Sequence, residues 1–494
     1  MLISGLALGA VLGFVMQRGR FCVTGFLRDI FTQRSWRGFV ALLIVISVHA
    51  IGLAALTSAG VITPEYNELA PVAVIVGGVI FGLGIVLAGG CASGTWYRSG
   101  EGLIGSWIAL VFYALSAAAM KTGFLGGLQN SLKDRTVGLT SIHASLGISI
   151  WPLVIALSAV TAYFAVRFLR EEFSGPRPVT LASRKSGLAH ILAEKPWHVY
   201  ATAAIVGVLG VIAWPLSAAT GRNDGLGITT PSSNLANYVV TGDTERFDWG
   251  VLLVLGILVG SFIAAKASGE FRLRVPDATQ GARSVVGGIF MGVGAAWAGG
   301  CTVGNGMVQT SLFSYQGWLA LASIAAGVAI AAKLWLKPSA PSLSDVPSTP
   351  STTNDTAVSA TAPVASAATS PVSLPGSDSV GAAGAEASPL AGAFAVAPVA
   401  LLDRSVVKQE DGKLKPLGDG RYELDTVGAV CPFPLIEAKD AINKIEVGEE
   451  LVIPFDCTQA TDAIPRWAAK DGHEVTNFEQ TGEAGWTISV RRGR

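Results

Sequence analysis

The first two thirds of the chain alternate long apolar runs with short polar ones. Nine apolar stretches fall at about residues 1–18, 37–60, 71–90, 103–121, 151–170, 199–219, 250–268, 285–300 and 317–336. Most approach the ~20 residues that a helix needs to cross a bilayer. The pattern therefore predicts a polytopic α-helical membrane domain of about nine spans over residues 1–337. "QRGR" follows the first stretch and no basic residue precedes it, so it reads as a retained span rather than a leader.

From residue 338 to about 402 the periodicity disappears. Ala, Ser, Thr, Pro and Val dominate, with four acidic residues and no Lys or Arg, a composition that buries too little to fold. The segment reads as a disordered tether reaching roughly 40–50 Å as a random coil. A third pattern fills residues 403–494: strand "RYELDTVGAV", helix "PLIEAKDAINKI", strand "EELVIPFD", helix "DAIPRWAAKDG", then strands "HEVTNFEQ" and "GWTISVRR". This order, βαβαββ, predicts a small two-layer α/β sandwich.

Composition agrees with lipid as solvent for the first part. Of 494 residues, 50% are hydrophobic and only 14% charged, against roughly 25% charged in an average soluble domain; mean hydropathy is +0.50. The formal net charge of zero says little, because the parts differ, and no nucleic-acid partner is expected. Loop charge sets orientation. With the N-terminus outside, the inner segments hold 18 Lys and Arg and the outer loops five, which favours N-out and C-in by the positive-inside rule.

Five cysteines remain to be placed: Cys22, Cys91, Cys301, Cys431 and Cys457. No CxxC or HExxH accompanies them, so neither a metal nor any other cofactor is expected. "GGVIFGLGIVLAGGCASG" from Gly77 aligns without a gap with "GGIFMGVGAAWAGGCTVG" from Gly287. Gly89, Gly90 and Cys91 thereby fall on Gly299, Gly300 and Cys301. By the loop count the two copies run in opposite directions, which predicts inverted repeats with a broken helix at each glycine pair and a substrate path at the repeat interface. A new helix beginning at each cysteine would point N–H groups at an anion. The two motifs are then expected near one axis around mid-membrane. Cys22, in "QRGRFCVTG", is a third candidate; its counterpart in "LGILVGSFIAAKASGEF" is Gly269, so the symmetry is incomplete. Packed structural thiols are the competing interpretation, since free Cys is among the most buried residue types.

In the soluble part, "CPFP" follows a strand and opens a helix. Pro432 suits the first helical turn, with Pro434 behind it, and places Cys431 at a helix N-terminus where the thiolate is favoured. Cys457 follows the next strand in the same way, with a structural role as its alternative. The topology puts both in the cytoplasm, where thiols stay reduced.

With "RGRFCVTG", "AGGCASG" and "AGGCTVG" on the page, residues 1 to about 337 resemble the YeeE/YedE (TsuA-type) sulfur-transport membrane family. From about residue 420 the chain resembles the TusA-like (SirA/YeeD, TsuB-type) sulfur-carrier family. The first resemblance implies that thiosulfate passes Cys22, Cys91 and Cys301 by transient S–H contacts. The second implies that Cys431 accepts sulfane sulfur as a persulfide, and that Cys457 matches a second cysteine of YeeD-type members. Together they imply a bacterial inner-membrane thiosulfate importer, embedded in lipid, whose C-terminal domain docks on the cytoplasmic face. Such a domain would cleave or accept the sulfane sulfur and pass it to downstream acceptor proteins. A membrane-anchored sulfurtransferase and a carrier of another sulfur or selenium species are the alternatives.

Overall fold

The computed structural model describes residues 2–183, 185–336, 414–429 and 431–493; the expected tether and residues 403–413 lie outside them. Its first half runs α1 (Ile3–Arg18), α2 (Val23–Thr32), α3 (Arg37–Ser58), α4 (Pro71–Leu87), α5 (Ala92–Gly100) and α6 (Ile104–Lys121). A connecting region follows, with α7 (Gly126–Lys133), α8 (Ile142–Leu146), α9 (Trp151–Ser174) and α10 (Gly187–Ala193). The second half is α11 (Val199–Ala218), α12 (Thr229–Thr241), α13 (Trp249–Ser268), α14 (Ala278–Ala298), a π-helical turn (Gly304–Gln309) and α15 (Tyr315–Trp335).

Among the described residues, eight segments are long and apolar enough to cross a membrane; α1 with α2, and α4 with α5, each count as one. The expected stretch left out is 285–300, the end of α14. Gln280 and Arg283 in its first turns dilute the apolar run.

The ungapped repeat is a two-fold contact in space. A Cβ at Gly77 would fall 2.5 Å from the backbone nitrogen of Ala298, and one at Gly287 would fall 2.5 Å from that of Ala88. Gly84 meets Met291 and Gly294 meets Phe81 in the same reciprocal way. The paired helices α4 and α14 are therefore antiparallel and touch backbone to backbone, which only glycine allows. The exchange extends outward: Gly78 and Gly82 of α4 pack on α15, while Gly288 and Gly292 of α14 pack on α6.

The remaining helices complete the symmetry differently from the sequence expectation. Gly5, Gly9 and Gly13 of α1 rest on Trp249, Leu253 and Ile257 of α13, so these two run parallel. Gly207 and Gly210 of α11 rest on Val48 and His49 of α3, again in parallel. Thus α11 corresponds to α1 and α13 to α3. The counterpart of α2 is α12, and Ile228, not Gly269, takes the N-cap place of Cys22. Gly269 instead ends α13 with φ +69°.

The C-terminal domain is a five-stranded sheet of order β1-β2-β3-β5-β4, with α16 (Phe433–Ile442) and α17 (Ala460–Asp471) packed on it. Its strands are β1 (Leu414–Gly418), β2 (Arg421–Leu424), β3 (Glu450–Phe455), β4 (Glu474–Gly482) and β5 (Gly485–Arg491). The expected order holds, with β1 added as a hairpin partner of β2. Leu451, Ile453 and Phe455 alternate inward along β3, as a half-buried strand requires.

Candidate functional site

The breaks predicted at the glycine pairs are real, but the two glycines of each pair differ. Gly89 and Gly299 sit at φ +71° and +79° and terminate α4 and α14. Gly90 has no such torsion, and a Cβ there would meet nothing closer than 3.6 Å. Freed carbonyls are answered by side chains the sequence reading passed over. Arg98 reaches back from α5 to donate to the Gly89 carbonyl. In the other half Asn305 Nδ2 donates to the Ala298 and Gly300 carbonyls at 2.8 and 3.0 Å, while its own oxygen accepts from Gln316 at 3.0 Å.

Cys22 is the N-cap of α2 and Cys91 the N-cap of α5. Cys301 differs: its carbonyl accepts from Asn305 N at 2.8 Å, but the turn that follows is π-helical and begins at Gly304. All three thiols are free and buried, and they share one core cluster. Cys22 and Cys91 are hydrogen-bonding neighbours beside Gly94, where a Cβ would lie 3.2 Å from the Cys91 sulfur and 3.7 Å from that of Cys22.

Cys301 follows the other helix break. Ala298 packs on Gly77 and Ala88 on Gly287, so the two helix breaks are eleven residues apart along α4, roughly 16 Å at 1.5 Å per residue. Tyr113 lies near both Cys91 and Cys301, and its phenol donates to Thr229 of α12 at 2.8 Å. Along the helix pair the break that precedes Cys301 and the break that precedes Cys91, the neighbour of Cys22, are thus offset, with Tyr113 near both cysteines.

At the Cys22 end sits the C-terminal domain. Arg28, one turn and a half beyond Cys22, donates from Nη1 to the Cys431 carbonyl at 3.3 Å. Arg20 bonds Thr461 and pairs with Glu270 at 3.2 Å. Arg466 pairs with Glu172 at 2.8 Å, which Arg37 also holds at 3.2 Å. The Ala484 N–H donates to the Gly269 carbonyl at 3.0 Å.

A cavity of about 250 Å³ lies within this contact, lined on one side by Arg98, Glu101 and Arg274 and on the other by Cys431, Asp456 and Cys457. Nε of Arg274 is buried there without a hydrogen-bond partner. Burial, and then the charge of Glu270, push the Glu101 carboxyl up to about 7. Pro432 is the N-cap of α16 rather than its first residue, with Pro434 inside the first turn. Cys431 therefore precedes the cap, and Cys457 lies two residues before the cap of α17. From the sequence both thiols are expected in the cytoplasm and reduced, with no relation between their positions. The structure joins them sulfur to sulfur, with Cα atoms 6.1 Å apart, a separation usual for disulfides.

These features define a class: a polytopic inverted-repeat membrane protein with cysteines at its helix breaks, carrying an α/β domain that presents a cysteine pair. Residues 18–330 match the sulphur transport family, and the chain belongs to it. Residues 422–492 match the sulfurtransferase TusA family. The chain is 50% identical over 328 residues to the thiosulfate transporter TsuA of Escherichia coli, covering 66% of this chain and 93% of that one. It is 31% identical over 335 residues to TsuA of Spirochaeta thermophila, covering 65% and 94%. Its C-terminal part is 59% identical over 70 residues to the putative sulfur carrier protein TsuB of E. coli, covering 14% of this chain and 93% of the relative.

Proposed function

We propose that the chain imports thiosulfate and hands it directly to its own C-terminal domain. The observation that carries the reading is a series of neighbours, Cys301, Tyr113, Cys91, Cys22, Arg28 and Cys431, in which Cys22 bonds Cys91 and Arg28 bonds the Cys431 carbonyl of the docked domain. Thiosulfate enters from outside at Cys301. It is passed by weak S–H contacts to the Cys91 and Cys22 pair, because a neutral thiol touches a sulfur anion without trapping it. Passage needs binding of that kind. The N-terminus is outside and the C-terminal domain cytoplasmic, in the inner membrane of a bacterium, and residues 338–402 serve as its tether.

At the exit, the Cys431 thiolate attacks the sulfane sulfur. The S–S bond of thiosulfate breaks, its electron pair leaves with sulfite, and Cys431 holds a persulfide. Arg274 offers its unpartnered N–H to the departing dianion in the cavity. Consumption at the exit keeps the inward gradient favourable.

Uptake of labelled thiosulfate into proteoliposomes tests the path. Cys91→Ala and Cys301→Ala are expected to lower the rate at least about tenfold, the equivalent of ~1.4 kcal/mol at the barrier. Wild-type rates in both, with sulfite still released by the C-terminal domain, would take these cysteines off the path.

A further inference from the structure

Cys431 and Cys457 come from two different strand-to-helix turns, yet their sulfurs meet and both line the cavity at the exit. A carrier that only stores sulfane sulfur for a partner needs one thiol. A second thiol in contact with the first sulfur offers an internal acceptor for attack, and it does so at the inner sulfur of a persulfide, the one bonded to the Cys431 side chain.

We infer that Cys457 resolves the Cys431 persulfide and releases its outer sulfur as hydrosulfide, which makes the domain a thiosulfate-reducing enzyme. This rests on the persulfide reading above. The Cys457 thiolate attacks Sγ of Cys431; the new bond is Cys431–Cys457, and the bond that breaks is the persulfide S–S. Its electron pair leaves on the outer sulfur, which keeps the persulfide proton and departs as HS⁻. That sulfur, formally zero in the persulfide, is reduced to the sulfide level, and the two cysteine thiols are oxidised to the disulfide. Two equivalents of a low-molecular-weight thiol, or one dithiol, then restore both cysteines by exchange. The Cα separation of 6.1 Å lets the Cys431–Cys457 bond form without moving the backbone. The reaction class that consumes the product is one that adds sulfide to a carbon electrophile, rather than one that takes a persulfide from a protein.

The geometry favours this route over transfer to an external protein. Cys431 is 9% exposed and Cys457 6%. With the domain docked, the Cys431 carbonyl is held by Arg28 and the cysteine face is turned toward the membrane part. A protein acceptor must displace the domain to reach the persulfide, whereas Cys457 already touches its inner sulfur.

The test is a single turnover of the full-length protein in detergent, reduced with a dithiol, freed of it, and mixed with excess thiosulfate. Wild type is expected to release sulfite and sulfide in equal amounts and to end with Cys431 and Cys457 disulfide-linked by mass spectrometry. Cys457→Ser is expected to release sulfite, retain a Cys431 persulfide, and release at least tenfold less sulfide. Sulfide from that variant at the wild-type level overturns the inference. So does a wild-type protein that keeps a stable persulfide and gives no sulfide, a readout that needs no variant to fold. Cys431→Ser separates the two levels: if it still releases sulfite, the persulfide reading itself fails.

Discussion

Arg98 donates to the Gly89 carbonyl at the end of α4 and also lines the cavity that holds Cys431 and Cys457. In the sequence it was only one positive charge in an orientation count, because nothing in its spacing says that it folds back nine residues onto a glycine turn. Asn305 was invisible for the same reason, since its role depends on where a broken helix places its carbonyls, and Tyr113 was invisible because its neighbours Thr229, Cys91 and Cys301 come from distant segments. Glu101, three residues on, shows what the arrangement costs. Its carboxyl, 3% exposed, is pushed from an ordinary value near 4.5 to about 7. The folded state therefore binds a proton more tightly than the unfolded one, so this group's contribution is full below pH ~4.5 and is lost as pH rises to about 7. Arg98, Arg274 and Arg20 oppose the loss and Glu270 adds to it. Glu101→Gln should remove the effect: its melting temperature is expected to match wild type near pH 5 and exceed it by several degrees at pH 8, with a ceiling of a few kcal/mol. Parallel melting curves across that range would exclude a titrating Glu101.

At the scale of elements, the repeat was legible because two helices that touch through their backbones must both carry glycine at the contact. The gapless alignment from Gly77 and Gly287 records that shared constraint. The partner of α2 was not legible, since the α12 entry at Ile228 has neither a cysteine nor a glycine pair to announce it. The hairpin strand β1 was missed although "GDG" at 418–420 is a turn signal, because "LKPLG" is short and carries a proline. Contact geometry separates glycines that look alike in sequence. Gly77→Ala and Gly287→Ala each drive a Cβ to 2.5 Å from backbone that cannot rotate away, so each is expected to cost about 1–3 kcal/mol. Gly90→Ala meets nothing within 3.6 Å and is expected to stay within about 0.5 kcal/mol of wild type. Thermal melts of the three purified variants check the pattern, and equal losses at Gly77 and Gly90 would contradict it.

For the whole molecule, docking joins two domains that the sequence presented as separate beads on a string. Their contact includes Arg466 with Glu172 and Arg20 with Thr461, beside the Ala484 to Gly269 backbone bond. The pair is 29% and 24% exposed at its side chains, so about 1 kcal/mol is the scale of its contribution. Because both partners are on one chain, losing that amount shifts the docked fraction rather than dissociating a complex. The Ala484 amide reports the shift, since its hydrogen-bond acceptor belongs to the membrane part. In Arg466→Glu, repulsion from Glu172 is added to the lost attraction, and exchange at Ala484 is expected to speed up about five- to tenfold. Glu172→Arg combined with Arg466→Glu restores opposite charges but sets the new arginine beside Arg37, so recovery is expected to be partial. Hydrogen–deuterium exchange of the three proteins decides this: unchanged protection at Ala484 in the single variant means the ion pair does not hold the domain. If docking is what delivers thiosulfate to Cys431, sulfite release coupled to uptake should fall in the same order as protection at Ala484, although neither charge touches the substrate.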